Sequence, residues 1–72
     1  MNVADHYTYR VRWSAEDGEY IGTVAELPSV SWLADNEAEA LAGIRRIAAT
    51  IVAEMHASGE EPPAGRYSNE YE

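Results

Sequence analysis

One stretch, residues 36–59, constrains the fold of this chain most, because it is long, periodic and marked at both ends. Asn36 followed three residues later by Glu39 is typical of a capping box, in which the two side chains satisfy free N–H groups at a helix start. Gly59 follows the last periodic residue, where glycine readily adopts a left-handed backbone, and two prolines soon after it stop any continuation. The pattern predicts a helix over residues 37–58.

The side chains of this segment divide the predicted helix into two faces. An apolar stripe recurs at alternating steps of three and four, the period of one helix face. The stripe consists of Leu41, Ile44, Ala48, Ile51 and Met55, and Ile47 and Val52 widen it. Small residues lie behind the stripe, at Gly43, Ala49, Ala53 and Ala57. Either they allow close approach of a second copy, which predicts a homodimer or higher homo-oligomer, or alanine only serves helix propensity.

Three shorter segments before the helix have the composition of β-strands. Residues 7–13 alternate strictly, which predicts a half-buried strand with its apolar set facing inward. That inward set is Tyr7, Tyr9, Val11 and Trp13. An Asp-Gly turn leads back into residues 19–25, whose two faces are less unequal and favour the middle of the sheet. A break at Pro28 precedes a short third strand at residues 30–34.

The order of these segments predicts an α+β fold, a three-stranded antiparallel sheet followed by one long helix packed on it. We expect residues 1–61 to form this domain. Residues 62–72 begin with proline and glycine and are expected to be a linker followed by either a fourth edge strand or a mobile tail. A chain of 72 residues is near the lower limit for folding without disulfides or metal, so burial of further surface in an oligomer would stabilise it.

The charge balance narrows the class of partner. Thirteen acidic residues against five arginines give a net charge of −8, which repels a phosphate backbone and predicts no direct binding of nucleic acid. A basic protein is the better match, and the alternative is that acidity only keeps a small domain soluble. The chain has no cysteine, no apolar run long enough to span a membrane and no signal pattern, so we expect a cytoplasmic protein without a membrane partner.

The candidate catalytic residues are few. His6 and His56 lack the spacing of a metal pair or of a catalytic triad, and the chain has no glycine-rich phosphate loop. The acidic residues lie mostly in turns, at the helix start and in the tail, and carboxylates near a helix N-terminus are favoured by its dipole. The sequence therefore predicts a protein without catalytic residues, metal or cofactor, and not an enzyme.

Three motifs follow one another along the chain. They are Trp13-Ser14-x-Glu16-Asp17-Gly18-Glu19-Tyr20, Glu26-Leu27-Pro28-Ser29-x-Ser31-Trp32-Leu33-Ala34 and Glu39-Ala40-Leu41-Ala42-Gly43-Ile44. In this order they resemble the HicB-like antitoxins of bacterial type II toxin–antitoxin systems. The resemblance implies a partial, degenerate ribonuclease H-like fold of order β-β-β-α-β, with the last strand beside the first. Ribonuclease H chemistry needs a metal-binding carboxylate on the first strand, whereas residues 8–12 contain none.

The resemblance also implies a partner. HicB-like antitoxins typically neutralise HicA, a small basic ribonuclease toxin, and the acidic charge of this chain agrees with such a partner. Family members commonly carry a C-terminal DNA-binding domain, which in the most similar long form begins with Arg-Tyr-Ser-Gly. This chain has Arg66-Tyr67-Ser68-Asn69 followed by three residues, two of them acidic, so DNA binding by these residues is not expected.

We therefore expect an antitoxin-like module that binds a HicA-like toxin. The candidate contacts are an acidic rim of Glu16, Asp17, Glu19 and Glu26, with Trp32 as an aromatic anchor. The alternative for Trp32 is a core residue covered by the helix. The alternative function is an orphan structural domain that only dimerises and has no toxin partner.

Overall fold

The computed structural model describes residues 2–64 and has the predicted α+β fold. A short 3-10 helix, Val3–His6, precedes strands β1 (Tyr9–Ser14), β2 (Glu19–Val24) and β3 (Ser31–Ala34), and helix α1 (Glu37–Ala57) follows them. The strands form one antiparallel sheet in the order β1-β2-β3, so the predicted central position of the second strand is confirmed. The predicted fourth strand falls outside the described residues.

Helix α1 begins and ends where the local signals indicate. The Asn36 side chain accepts a hydrogen bond from the backbone N–H of Glu39 at 2.8 Å, which caps the first turn. At the other end Gly59 has a φ of 84°, and the N–H of Glu60 donates to the carbonyl of Met55 at 2.8 Å. This is the Schellman arrangement, and it closes the helix within one residue of the predicted end.

The core lies between the sheet and one side of α1. Its fully buried centre contains Ile44, Ala48 and Val52 of the predicted stripe, packed with Val24 of β2 and with Ala4 and Tyr7 before β1. Leu41 was predicted in this stripe but is 37% exposed, and Ala40 is buried in its place. The reason is the close contact of Ala40 and Ile44 with Gly22, which turns the 40-44-48-52 line of the helix toward the sheet.

Gly43 also lies on the inner side of α1, contrary to the predicted small-residue flank. A Cβ atom at this position would overlap the indole ring of Trp32, because the ring lies directly against the helix there. Ala49 is partly buried against the core, whereas Ala53 and Ala57 are exposed. The predicted set of four therefore does not form one outer surface, and self-association of the chain stays a prediction.

Trp13 was expected under the helix but is 54% exposed. Its side chain is on the helix side of β1, as the alternation predicts, yet it lies at the hairpin end of an outer strand. Helix α1 covers the other end of this strand, where the Arg45 guanidinium lies 5.2 Å from the centre of the Tyr9 ring. Trp13 instead packs edge-on against Tyr20 of β2, with ring centres 5.1 Å apart.

Tyr7 ties the chain after α1 to the start of the sheet. Its ring is buried, and its hydroxyl donates a hydrogen bond to the carbonyl of Pro63 at 2.6 Å. Burial raises the pKa of Tyr7, and the Glu26 carboxylate raises it further. Burial also raises the pKa of Tyr9. The pKa of a tyrosine in the unfolded chain is about 10, and the pKa values of Tyr7 and Tyr9 in the folded protein are higher. The free energy of unfolding should therefore fall as the pH rises above about 10.

We expect Tyr7→Phe to lower the free energy of unfolding by about 1 kcal/mol at neutral pH, because one part-buried hydrogen bond is lost. The same variant should lose less stability above about pH 10, since one of the two shifted groups is gone. Urea unfolding at neutral and alkaline pH measures both effects. Tyr20→Phe removes a hydroxyl at the hairpin end and is the control. If Tyr7→Phe lost stability at alkaline pH as steeply as the unmodified protein, the raised pKa of Tyr7 would not be a cause of that loss.

Candidate functional site

The acidic residues of the hairpin and of the helix start are gathered at one end of the molecule. The register explains this, because Tyr20 near the start of β2 pairs with Ala34 at the end of β3. Glu19 therefore lies beside the segment in which β3 leads into α1. That segment contains Asp35, and Glu39 follows in the first turn of the helix.

An open groove with a volume of about 440 Å³ lies at this end, between β3 and the first turns of α1. Its lining residues are Glu19, Trp32, Leu33, Ala34, Asp35, Glu39, Ala42 and Arg46. The apolar part comes from β3 and the helix, and three carboxylates stand around it. Four of the eight lining residues are charged, so the groove offers apolar contact together with charged groups that can orient a ligand.

Trp32 both packs against α1 and lines the groove, and its role as an anchor for a partner stays a prediction. The side chain is half-buried because its ring lies against Gly43, so it is part of the packing between β3 and α1. The same residue also lines the groove, and the guanidinium of Arg46 lies 5.5 Å from the centre of its ring. This is cation–π geometry, so the aromatic surface of the groove already accepts a cation.

The structure separates the predicted rim residues. Glu19 and Trp32 line the groove together. Glu16 and Asp17 are exposed in the turn before β2, at the same end of the molecule, and Asp17 accepts a hydrogen bond from the Ser14 hydroxyl at 2.9 Å. Three of the four predicted carboxylates are thus placed at this end of the molecule.

Glu26 is at the opposite end of β2 and is only 6% exposed. Its carboxylate accepts hydrogen bonds from the backbone N–H of Thr8 at 2.8 Å and from the Thr8 hydroxyl at 3.2 Å. These bonds fasten the segment after β2 to the start of β1. The prediction of Glu26 as part of an exposed acidic rim is wrong in placement, since the side chain points into the fold.

Three charged residues of the groove, Asp35, Glu39 and Arg46, are not in the set predicted from the sequence. Acidic residues such as Asp35 and Glu39 are expected near a helix N-terminus for structural reasons alone, so the sequence does not mark them as binding residues. The helix period does hold a clue, because Glu39 and Arg46 are seven residues apart and therefore share one side of α1.

The apolar and acidic lining of the groove suits the binding of a cationic group. Within residues 2–64 no group of three or more histidine, aspartate or glutamate side chains is placed to hold a metal ion. His6 is exposed, and His56 is exposed in the last turn of α1, at the end of the helix away from the groove.

No helix in this described part of the chain is long and apolar enough to cross a membrane.

The fold and the groove together define a class, a small α+β domain with one helix on one face of a three-stranded sheet and an acidic groove at one end. Comparison of the chain with protein-family models, with curated proteins and with solved structures gives no match. The resemblance to HicB-like antitoxins therefore stays a prediction carried by the sequence motifs.

Proposed function

We propose that this chain is an antitoxin-like module that binds and sequesters a small basic ribonuclease toxin of the HicA type in the cytoplasm. The observation that carries the proposal is the gathering of carboxylates from two separate segments at one end of the molecule. They are Glu16, Asp17 and Glu19 at the hairpin, and Asp35, Glu37 and Glu39 at the helix start. A surface of this charge attracts a basic protein and repels the RNA that such a toxin would cleave.

The described arginines are spread over several parts of the surface and do not gather at the acidic end. Arg10 and Arg12 are exposed on the face of the sheet opposite α1, and Arg45 lies over Tyr9. Arg46 is the one arginine of the described residues that lines the groove. Six of the eleven acidic residues within residues 2–64 lie at this end, against one arginine in the groove, and this local excess favours a docking surface over mere solubility.

The sequence motifs supply the class of partner. All three stretches that resemble HicB-like antitoxins reach the acidic end. The first forms the hairpin, the second contains Trp32, Leu33 and Ala34 of the groove, and the third contains Glu39 and Ala42 of the groove. The alternative, an orphan domain that only dimerises, has less support, since Gly43 of the expected contact is covered by Trp32.

The proposal is tested by titrating the purified protein with a HicA-type toxin in a calorimeter and by measuring RNA cleavage in the same mixtures. We expect a complex at micromolar concentration or below and loss of cleavage. The double change Asp17→Asn with Glu37→Gln should weaken the complex about fivefold at low salt, because two exposed charges that attract the toxin are removed.

The matched control is Glu54→Gln with Glu60→Gln, which removes the same charge at the other end of α1. It should change the affinity by less than about twofold. Absence of a complex at micromolar concentrations would leave the orphan-domain alternative standing and would end the antitoxin proposal.

A further inference from the structure

We propose that the groove between β3 and α1 receives one arginine side chain of the basic partner, which stacks on Trp32 among the carboxylates of Glu19, Asp35 and Glu39. The inference rests on the proposed function in that the partner is a basic protein. It goes further by naming the residue type that is recognised and the place where it binds.

The shape and charge of the groove favour an extended cationic side chain. The volume of about 440 Å³ is open to one side, so a long side chain can enter without any rearrangement of the backbone. The aliphatic part of such a side chain would lie on the apolar lining from Leu33 and Ala42, and its charged end would be near the carboxylates.

The protein itself indicates which cation the tryptophan accepts. Arg46 is exposed, and its guanidinium lies 5.5 Å from the centre of the Trp32 ring. A guanidinium is planar, stacks on aromatic rings and bonds a carboxylate through two parallel N–H groups, whereas an ammonium is a compact point charge. Arginine is therefore favoured over lysine as the group that binds here.

This geometry makes Arg46 an internal competitor. A partner's arginine has to share or displace its guanidinium, so removal of Arg46 should strengthen binding. Arg45 provides a matched control, because it carries the same charge one residue earlier but lies over Tyr9, outside the groove. The two variants change the net charge equally, and only Arg46→Gln uncovers Trp32.

The probes are a capped hexa-arginine peptide and a hexa-lysine peptide of equal charge, titrated into the full chain and followed by the indole N–H signals of its two tryptophans in nuclear magnetic resonance spectra. We expect hexa-arginine to shift the Trp32 signal and to bind more tightly than hexa-lysine. Arg46→Gln should tighten binding about threefold and Arg45→Gln by less than about twofold.

Removal of one carboxylate of the groove should act in the opposite direction. Glu39→Gln should weaken hexa-arginine binding about threefold, whereas Glu54→Gln, an exposed residue further along α1, should leave it nearly unchanged. Equal affinity for the two peptides, equal effects of the two arginine variants, or an unshifted Trp32 signal would overturn the inference. If a variant fails to fold, the Trp32 signal of the unmodified protein still shows whether hexa-arginine binds at this residue.

The same variants separate this inference from the proposed function. A HicA-type toxin that binds the unmodified protein and the Arg46→Gln and Glu39→Gln variants equally would overturn the arginine groove and leave the antitoxin proposal intact. Hexa-arginine binding at Trp32 without any complex with the toxin would support the groove and remove the antitoxin proposal.

Discussion

Replacement of Gly22 by valine is expected to lower the free energy of unfolding by about 3 kcal/mol or more, a large share of the total for a domain of this size. Gly22 lies in the middle of β2, directly under α1. A Cβ atom there would be 2.6 Å from the carbonyl oxygen of Ala40 and 2.9 Å from the Cγ2 of Ile44. A carbonyl of a helix backbone cannot turn aside, so the helix has to move away from the sheet.

Chemical denaturation of a glycine series measures this effect. Gly43→Ala should be milder than Gly22→Ala, because its clash is with the Trp32 side chain, which can swing outward, and because alanine gains about 1 kcal/mol over glycine within a helix. Gly18→Ala is the control, since nothing lies within 4 Å of its Cβ position and only its φ of 65° opposes the change, at about 1 kcal/mol. Unmodified stability of Gly22→Val would contradict the packing of α1 on β2.

A comparison of Gly59 with Gly22 shows why the sequence predicts the helices and strands better than it predicts their packing. The ends of α1 depend on local groups, namely the Asn36 side chain and the left-handed Gly59, so both are readable from the sequence. The rotation of the helix depends on where a backbone can approach closely. Gly22 sets that point on the sheet, and nothing in the periodicity of α1 distinguishes Ala40 from Leu41 as its contact.

The exposure of Trp13 has a similar origin. Alternation correctly places its side chain on the helix side of β1, but the direction in which α1 crosses the sheet decides whether it is covered. That direction follows from the β2–β3 register and from the short connection between β3 and α1. Both are long-range properties that a local pattern does not contain.

Only part of the candidate groove can be predicted from the sequence, because its composition is local information whereas its assembly depends on the long-range pairing of the strands. Glu19 and Trp32 were selected as acidic and aromatic residues of interface type, and they do line one groove. Recognition that Asp35, Glu39 and Arg46 join them requires the pairing of Tyr20 with Ala34, which brings the hairpin beside the helix start. Charge and composition indicate that an acidic surface exists, and the register decides where it lies.

Glu26 provides the second large effect and separates a structural role from a binding role. Glu26→Ala is expected to lower the free energy of unfolding by about 2–3 kcal/mol, because it removes a buried carboxylate that accepts two hydrogen bonds from Thr8. Glu26→Gln keeps an acceptor oxygen for the Thr8 N–H and should cost about 1 kcal/mol. Urea unfolding at neutral pH measures both values.

Glu16→Ala is the control for this pair, since it removes an exposed carboxylate from the hairpin turn and should change stability by less than about 0.5 kcal/mol. The two alanine variants should behave in opposite ways toward a basic partner. Glu16→Ala should weaken the complex without loss of stability, because it lies at the acidic end of the molecule. Glu26→Ala should lose stability, but the fraction of this variant that is folded should bind the partner as tightly as the unmodified protein does. A stable Glu26→Ala protein with weakened binding would return Glu26 to the contact surface.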